Sequence, residues 1–287
     1  MFYFFKRVYN FIVQEQLSWG SVNDNSYNDV NEIYSPTLQK RMQHLTTPSR
    51  FHPYKGHIIS LKSKELLEYI NKPNVEFNTK FSNFNQILNN VSKSLYLRYS
   101  PNMIYSFNDE INLVFFHNEN DTEYIYGDDI NKTITSMTSY ASIQFMKEFT
   151  SNKLDIEFVI NGKYVEFDED YEMLNYIIWR QNDCYRNNLS VLHNNYNKGS
   201  IHSMSIVDVI LSLEQLEKEK QEADGIKRIN FGMEMAFFYG NIIKKEIVYK
   251  EINGKMVCKK ELNIDNETIL KWNFDENVQK YIYNKLL

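Results

Sequence analysis

Two apolar runs separated by a short acidic turn stand out along this chain. Met103, Ile104, Tyr105 and Phe107 precede Asn108-Asp109-Glu110, and Ile111, Leu113, Val114, Phe115 and Phe116 follow it. That pattern predicts a β-hairpin with acid at its tip. Upstream, residues 57–62 (HIISLK) read as a buried strand. Residues 74–97 carry Phe77, Phe81, Phe84, Ile87, Leu88, Val91 and Leu95 at helical spacing, and residues 129–149 do the same with Ile130, Ile134, Met137, Ala141, Phe145 and Phe149. Residues 154–160 (LDIEFVI) alternate as a strand would and are expected to close the sheet. Strand, helix, hairpin, helix, strand is the βαββαβ order, so the expected fold is α+β with a ferredoxin-like layer. From Tyr171 onward helical patterns dominate, among them residues 205–220, until two strand-like segments at 246–252 and 255–262 flank the turn Asn253-Gly254.

The opening residues, MFYFFKRVYNFIV, are apolar but interrupted by Lys6 and Arg7, and the run is too short to span a bilayer. Residues 18–35 are rich in Asn, Asp and Ser and read as a polar linker. The expected organisation is therefore an N-terminal extension and linker over 1–36, a palm-like domain over 37–162, and a mostly helical, interwoven C-terminal domain with a terminal hairpin over 163–287. A cytoplasmic location without membrane association is expected, with an organellar presequence as the weaker alternative.

Composition narrows the chemistry. A chain of 287 residues with 43% hydrophobic content builds a sizeable core, which sets aside a disordered tail. Its formal net charge of −5 argues against a globally basic nucleic-acid binder, so RNA contact would need a local patch such as Lys244-Lys245 or Lys259-Lys260. Cys184 and Cys258 offer neither a disulfide framework nor a zinc cluster. The six histidines show no metal-ligand spacing.

Several individual residues have structural readings. Asn-Asp at a hairpin tip is ordinary turn chemistry. Trp179 reads as a core anchor, Cys184 as a small buried hydrophobe, and Arg180 and Asp183, three apart, as a pair on one helix. Asp129 reads as an N-cap. Glu214 to Glu222 reads as a solvated, charge-patterned helix face.

Taken together, the motifs resemble the tRNA(His) guanylyltransferase family and its related 3′-to-5′ polymerases over residues 38–250. LQKRM (residues 38–42), KPN (Lys72 to Asn74), FNDE around Asp109, Leu154-Asp155 and WRQNDCYRNN (residues 179–188) follow the family's motif order, the last being its most specific signature. The resemblance implies a polymerase-type palm that adds a nucleotide, GTP favoured, to the 5′ end of a tRNA after activating that end with a nucleoside triphosphate. It implies Mg²⁺ as cofactor, two ions in the family or a single ion here, with GTP or ATP as substrate, and a homo-oligomer, tetrameric in the family. Asp109 would be a metal ligand and Glu110 an adjacent acid. Lys72 and Asn74 would lie near the triphosphate, and Arg180, Asp183, Asn187 and Asn188 would belong to the nucleotide or 5′-end pocket.

One departure bears directly on that chemistry. At the end of the first strand, where the family places a metal-ligating aspartate and a glycine, this chain has Lys62-Ser63. The separation 109 − 62 = 47 is close to the family's own spacing. A protonated lysine has no lone pair for Mg²⁺ and repels a nearby cation. It could occupy the site as a surrogate cation, or Glu65 or Asp155 could bring a replacement carboxylate. Tyr185 also replaces a histidine that tRNA(His)-specific members carry. The alternative reading is thus a catalytically degenerate member that keeps the fold for RNA binding or assembly.

Overall fold

A computed structural model describes residues 51–52, 55–71, 77–116, 129–197, 208–213, 215, 235–252 and 255–265. The first strand, β1 (Gly56–Lys62), is buried except at Lys62. Helix α1 (Lys64–Asn71) follows directly. Ser63 starts it by accepting the Leu66 amide on its Oγ at 3.4 Å and the Leu67 amide on its carbonyl at 3.3 Å, as an N-cap residue does. The sequence pattern missed α1. Its eight residues place only Leu66 and Ile70 in the core, one i,i+4 pair among charges, too short a periodicity to register.

Helix α2 spans Phe77–Tyr99. It buries Phe81, Phe84, Ile87, Leu88, Val91 and Leu95, the stripe expected for it. The hairpin consists of β2 (Met103–Phe107) and β3 (Glu110–Phe115), closed by the pair Phe107 and Glu110. Its two-residue tip places Asn108 at φ +46°, the left-handed conformation that primed hairpin turns need and that Asn tolerates. Helix α3 (Ile130–Ser151) begins at Asp129, whose side chain accepts the Lys132 amide at 2.9 Å. That is the N-cap expected there.

The closing strand is not where alternation placed it. Residues 154–160 carry no ladder, and β4 is Asn161–Phe167. None of 154–160 is fully buried. Leu154, Ile156, Phe158 and Ile160 instead pack their partly buried faces against the core, with Phe158 edge-on to Phe149. The alternation is real, but it covers the end of α3 rather than pairing with a strand. Helix α4 (Asp170–Asn197), the short α5 (Met235–Tyr239) and the long hairpin β5 (Asn241–Ile252) and β6 (Lys255–Asp265) complete the described elements. Of the helix expected at 205–220, residues 208–213 and 215 are described and helical.

All the described strands join one antiparallel sheet in the order β4-β1-β3-β2-β5-β6. Helices α2 and α3 cover one face, packing on Ile59, Leu61, Ile104, Ile111, Leu113 and Tyr164. The first half of α4 covers the other, where Met173, Leu174, Ile177 and Ile178 meet Ile58, Met103, Tyr105, Val114 and Val165. Burial on both faces explains why β2 and β3 read as nearly continuous apolar runs. The C-terminal half is interwoven with the first: α4 forms a layer on the sheet, and β5 pairs with β2 from Ile104 opposite Ile243 to Ser106 opposite Asn241. Among the described residues no helix is long and apolar enough to cross a membrane.

Candidate functional site

The register of the central strands brings the end of β1 against the hairpin tip. His57 lies opposite Phe115, and five residues on Lys62 lies opposite Glu110. The Ser63 amide then donates to the Asp109 carbonyl at 3.2 Å. Lys62, Ser63, Asp109 and Glu110, gathered from two strands 47 residues apart, therefore form one cluster.

Glu110 is the most constrained member. Its side chain is 3% exposed. Arg180, from α4, grips it in a bidentate fork: Nε donates to Oε1 at 2.8 Å and Nη2 to Oε2 at 2.6 Å. Asn112 Nδ2 donates to Oε1 at 2.9 Å, and Lys62 Nζ stands 3.6 Å from Oε2. Three hydrogen bonds and one longer ion pair thus address a carboxylate with roughly four lone-pair sites. Arg180 also donates from Nη1 to Asp183 Oδ2 at 2.7 Å, and its guanidinium lies over the Trp179 and Phe107 rings. The Arg180–Asp183 pair expected from spacing is present, but the dominant contact of Arg180 is the long-range clamp on Glu110, which spacing did not reveal. Trp179 is half-buried and holds that guanidinium from one side.

Asp109 differs in kind. It is buried, and its Oδ2 has no hydrogen-bond partner. Burial pushes its carboxyl up to about 6, with the Lys62 ammonium opposing that shift and the Glu110 charge reinforcing it. Burial likewise raises Asp183, against the pull of Arg180 and Arg186. Glu65 accepts from Ser63 Oγ and the Val159 amide, and Asp155 is exposed.

The hairpin tip is tied to α4 by amides. Asn108 and Asn188 donate to each other at 2.9 and 3.1 Å, and Asn188 also donates to the Phe237 carbonyl. Cys184, fully buried as expected, sits one turn before Asn188. Arg180, Cys184 and Asn188 recur every four residues, so one face of α4 reads the hairpin; that spacing was the available signal for the amide pair. Beside it opens a cavity of about 350 Å³ lined by Leu67, Asn71, Asn108, Asn187, Asn188, Ser190, Val191 and Asn194. Asn187 is exposed at its rim. Lys72 and Asn74 lie outside the described residues.

The donor set does not fit a pair of Mg²⁺ ions. Glu110 has its oxygens committed, Lys62 brings a positive charge, and Asp109 offers a single uncommitted oxygen. Among the described residues no group of three or more His, Cys, Asp and Glu side chains is arranged to hold a metal.

No protein-family model matches the chain, and no curated protein sequence matches it. Solved structures do. A bacterial tRNA(His) guanylyltransferase (Thg1)-like protein in complex with ATP aligns with a TM-score of 0.59 at 17% identity, over 86% of this chain and 97% of its own. The GTP complex of a bacterial protein of the same description gives 0.57 at 15% identity, over 88% and 100%. The tRNA(His) guanylyltransferase of Saccharomyces cerevisiae gives 0.51 at 13% identity, over 78% and 96%. The resemblance read from the motifs therefore holds at the level of the fold across most of the chain.

Proposed function

We propose that this chain, built on the fold of the tRNA(His) guanylyltransferases, is a nucleotidyltransferase that adds nucleotides, GTP favoured, to the 5′ end of tRNA in the 3′-to-5′ direction, in tRNA processing or repair. The first four strands, in the order β4-β1-β3-β2, serve as a ferredoxin-like, polymerase-type palm. The observation that carries this reading is Asp109: a buried carboxylate with one unpartnered oxygen at a hairpin tip, its backbone carbonyl accepting the Ser63 amide, between the Lys62–Glu110 cross-strand pair and Asn108, which lines an open cavity. On a fold whose solved relatives were captured with ATP and GTP, that is where a triphosphate and an acceptor end would meet.

Growth at a 5′ end makes the 3′-hydroxyl of the incoming nucleotide the nucleophile and the activated 5′ phosphorus the electrophile: a P–O bond forms to that oxygen, the bond from phosphorus to the activating nucleotide or pyrophosphate breaks, and that group leaves with the electron pair. The Asp109 carboxylate orients that hydroxyl and accepts its proton, a task suited to a carboxyl near neutrality. Lys62 faces phosphate oxygens. Arg180 acts through Glu110, holding the hairpin tip against α4.

A specific observation also favours a second reading. With both Glu110 oxygens accepting from Arg180 and Asn112 and a lysine beside them, the chain could keep the palm as an RNA-binding or assembly protein without turnover. Incubation with labelled GTP or ATP, Mg²⁺ and 5′-truncated or 5′-activated tRNA separates the two. Incorporation that is lost in Asp109→Asn supports the enzyme. Absence of incorporation at every metal concentration supports the degenerate member.

A further inference from the structure

We propose that Lys62 takes the place of a divalent cation in this cleft, so that a nucleoside triphosphate docks by its phosphates without a bound metal ion. The inference rests on the nucleotide reading above and deepens it.

Three observations carry it. Lys62 is the last residue of β1 and is held in the ladder on both sides, opposite Glu110 and opposite Asn161. Its Cα is thus fixed in place by backbone, while its half-exposed side chain carries the ammonium to the edge of the cleft. At 3.6 Å from Glu110 Oε2 the ammonium is beyond the 2.7–2.9 Å of a tight charge-assisted bond. It has three donors, and this loose pair leaves capacity for phosphate oxygens.

Next, the carboxylates cannot serve a metal as a set. Both oxygens of Glu110 already accept hydrogen bonds, Oε1 from Arg180 and Asn112 and Oε2 from Arg180, and Asp183 accepts from Arg180. A dication seated on Asp109 alone would lie in the field of the same lysine that already acts on that carboxyl.

Charge counting agrees. Lys62 and Arg180 against Asp109, Glu110 and Asp183 give a formal 2 − 3 = −1. With aspartate at 62 the count would be 1 − 4 = −3, a difference of two units, the charge of one Mg²⁺.

The neighbouring cavity completes the division of labour. Its lining is neutral, with Asn71, Asn108, Asn187 and Asn194 as amide donors and acceptors, chemistry suited to a base and ribose rather than to phosphate. It shares its walls with Lys62's surroundings: Leu67 donates its amide to the Ser63 carbonyl, and Asn108 adjoins Asp109, which accepts from Ser63.

The test is equilibrium binding of labelled GTP to the full chain, with EDTA and with excess Mg²⁺. The expected result is affinities agreeing within about threefold, below the tenfold that 1.4 kcal/mol represents. Lys62→Gln should weaken binding in EDTA by about tenfold or more, the worth of a charge-assisted hydrogen bond. Lys62→Asp should bind only when Mg²⁺ is present. If EDTA abolishes wild-type binding and Mg²⁺ restores it, this inference fails while the nucleotide reading stands. Undiminished EDTA binding by Lys62→Gln overturns it as well. No binding by any variant in either buffer overturns the nucleotide reading and this inference together.

Discussion

Lys62 and Glu110 are direct cross-strand partners, with the lysine ammonium 3.6 Å from a carboxylate that is almost fully buried. The pairing joins a half-exposed cation to an inward anion already gripped by Arg180, so the cleft wall carries an extended charge network anchored from α4. Such networks are costly to interrupt, because a buried charge deprived of its partner retains its desolvation penalty.

Arg180→Ala therefore leaves Glu110 charged, buried and reduced to a lysine and an amide. The expected loss is about 3–5 kcal/mol of stability, read as a lowered midpoint in urea denaturation. The double variant Arg180→Met with Glu110→Leu should be less destabilised than Arg180→Ala alone, since it removes both charges and leaves apolar volume.

Asp109→Asn should have the opposite sign. The folded carboxyl titrates near 6 and the unfolded one near 3.8, so its contribution to stability is fully present below about 4 and is lost as pH rises through about 6. At neutral pH the buried charge is a burden of about 2–3 kcal/mol at most. The amide should raise the thermal midpoint at that pH while abolishing nucleotide incorporation, the trade expected where a site stores destabilisation for function.

His57 works against Asp109 in an overlapping window. Burial pushes its imidazole down to about 4, from an ordinary 6.5. Between these values the unfolded chain holds a proton that the folded chain does not, so stability falls as pH drops from about 6.5 to about 4, by up to roughly 3 kcal/mol. The two groups nearly cancel in the wild type. Denaturation midpoints measured across that range should stay nearly flat in the wild type, rise with decreasing pH in a His57→Phe variant, and fall with decreasing pH in Asp109→Asn.

How far this site could be read from the chain depended on the range of each contact. The hairpin and its acids were legible because β2 and β3 are neighbours in sequence and their apolar runs bracket a two-residue turn. Helices α2 and α3 announced themselves through Phe81 to Leu95 and Ile130 to Phe149, stripes that one core face demands. The spacing of 47 from Lys62 to Asp109 is consistent with the observed register, in which Lys62 lies opposite Glu110 beside Asp109. The Arg180–Glu110 clamp spans 70 residues and no local pattern encodes it. The misplacement of the closing strand has a physical cause: Ile156 and Phe158 alternate for helix-covering, while β4 opens with Asn161-Gly162, residues that read as a turn.

Gly240 shows a further constraint that composition hides. It follows α5 with φ +72°, and an added Cβ would stand 2.8 Å from the Ser106 carbonyl oxygen and from Tyr105 Oη. Gly240→Ala should cost about 1–3 kcal/mol, combining left-handed strain with displacement of the β2–β5 seam. The readout is the denaturation midpoint, with hydrogen exchange at Ser106 and Asn241 rising ahead of global unfolding.

The account as a whole places the nucleotide between the hairpin tip and α4, and photolabelling tests that placement most directly. An azido-substituted GTP irradiated with the intact protein and mapped by peptide should label segments carrying residues 64–71 and 187–194, with unlabelled GTP competing the label away. Label confined to the β5–β6 hairpin, or label that excess GTP does not displace, would contradict it.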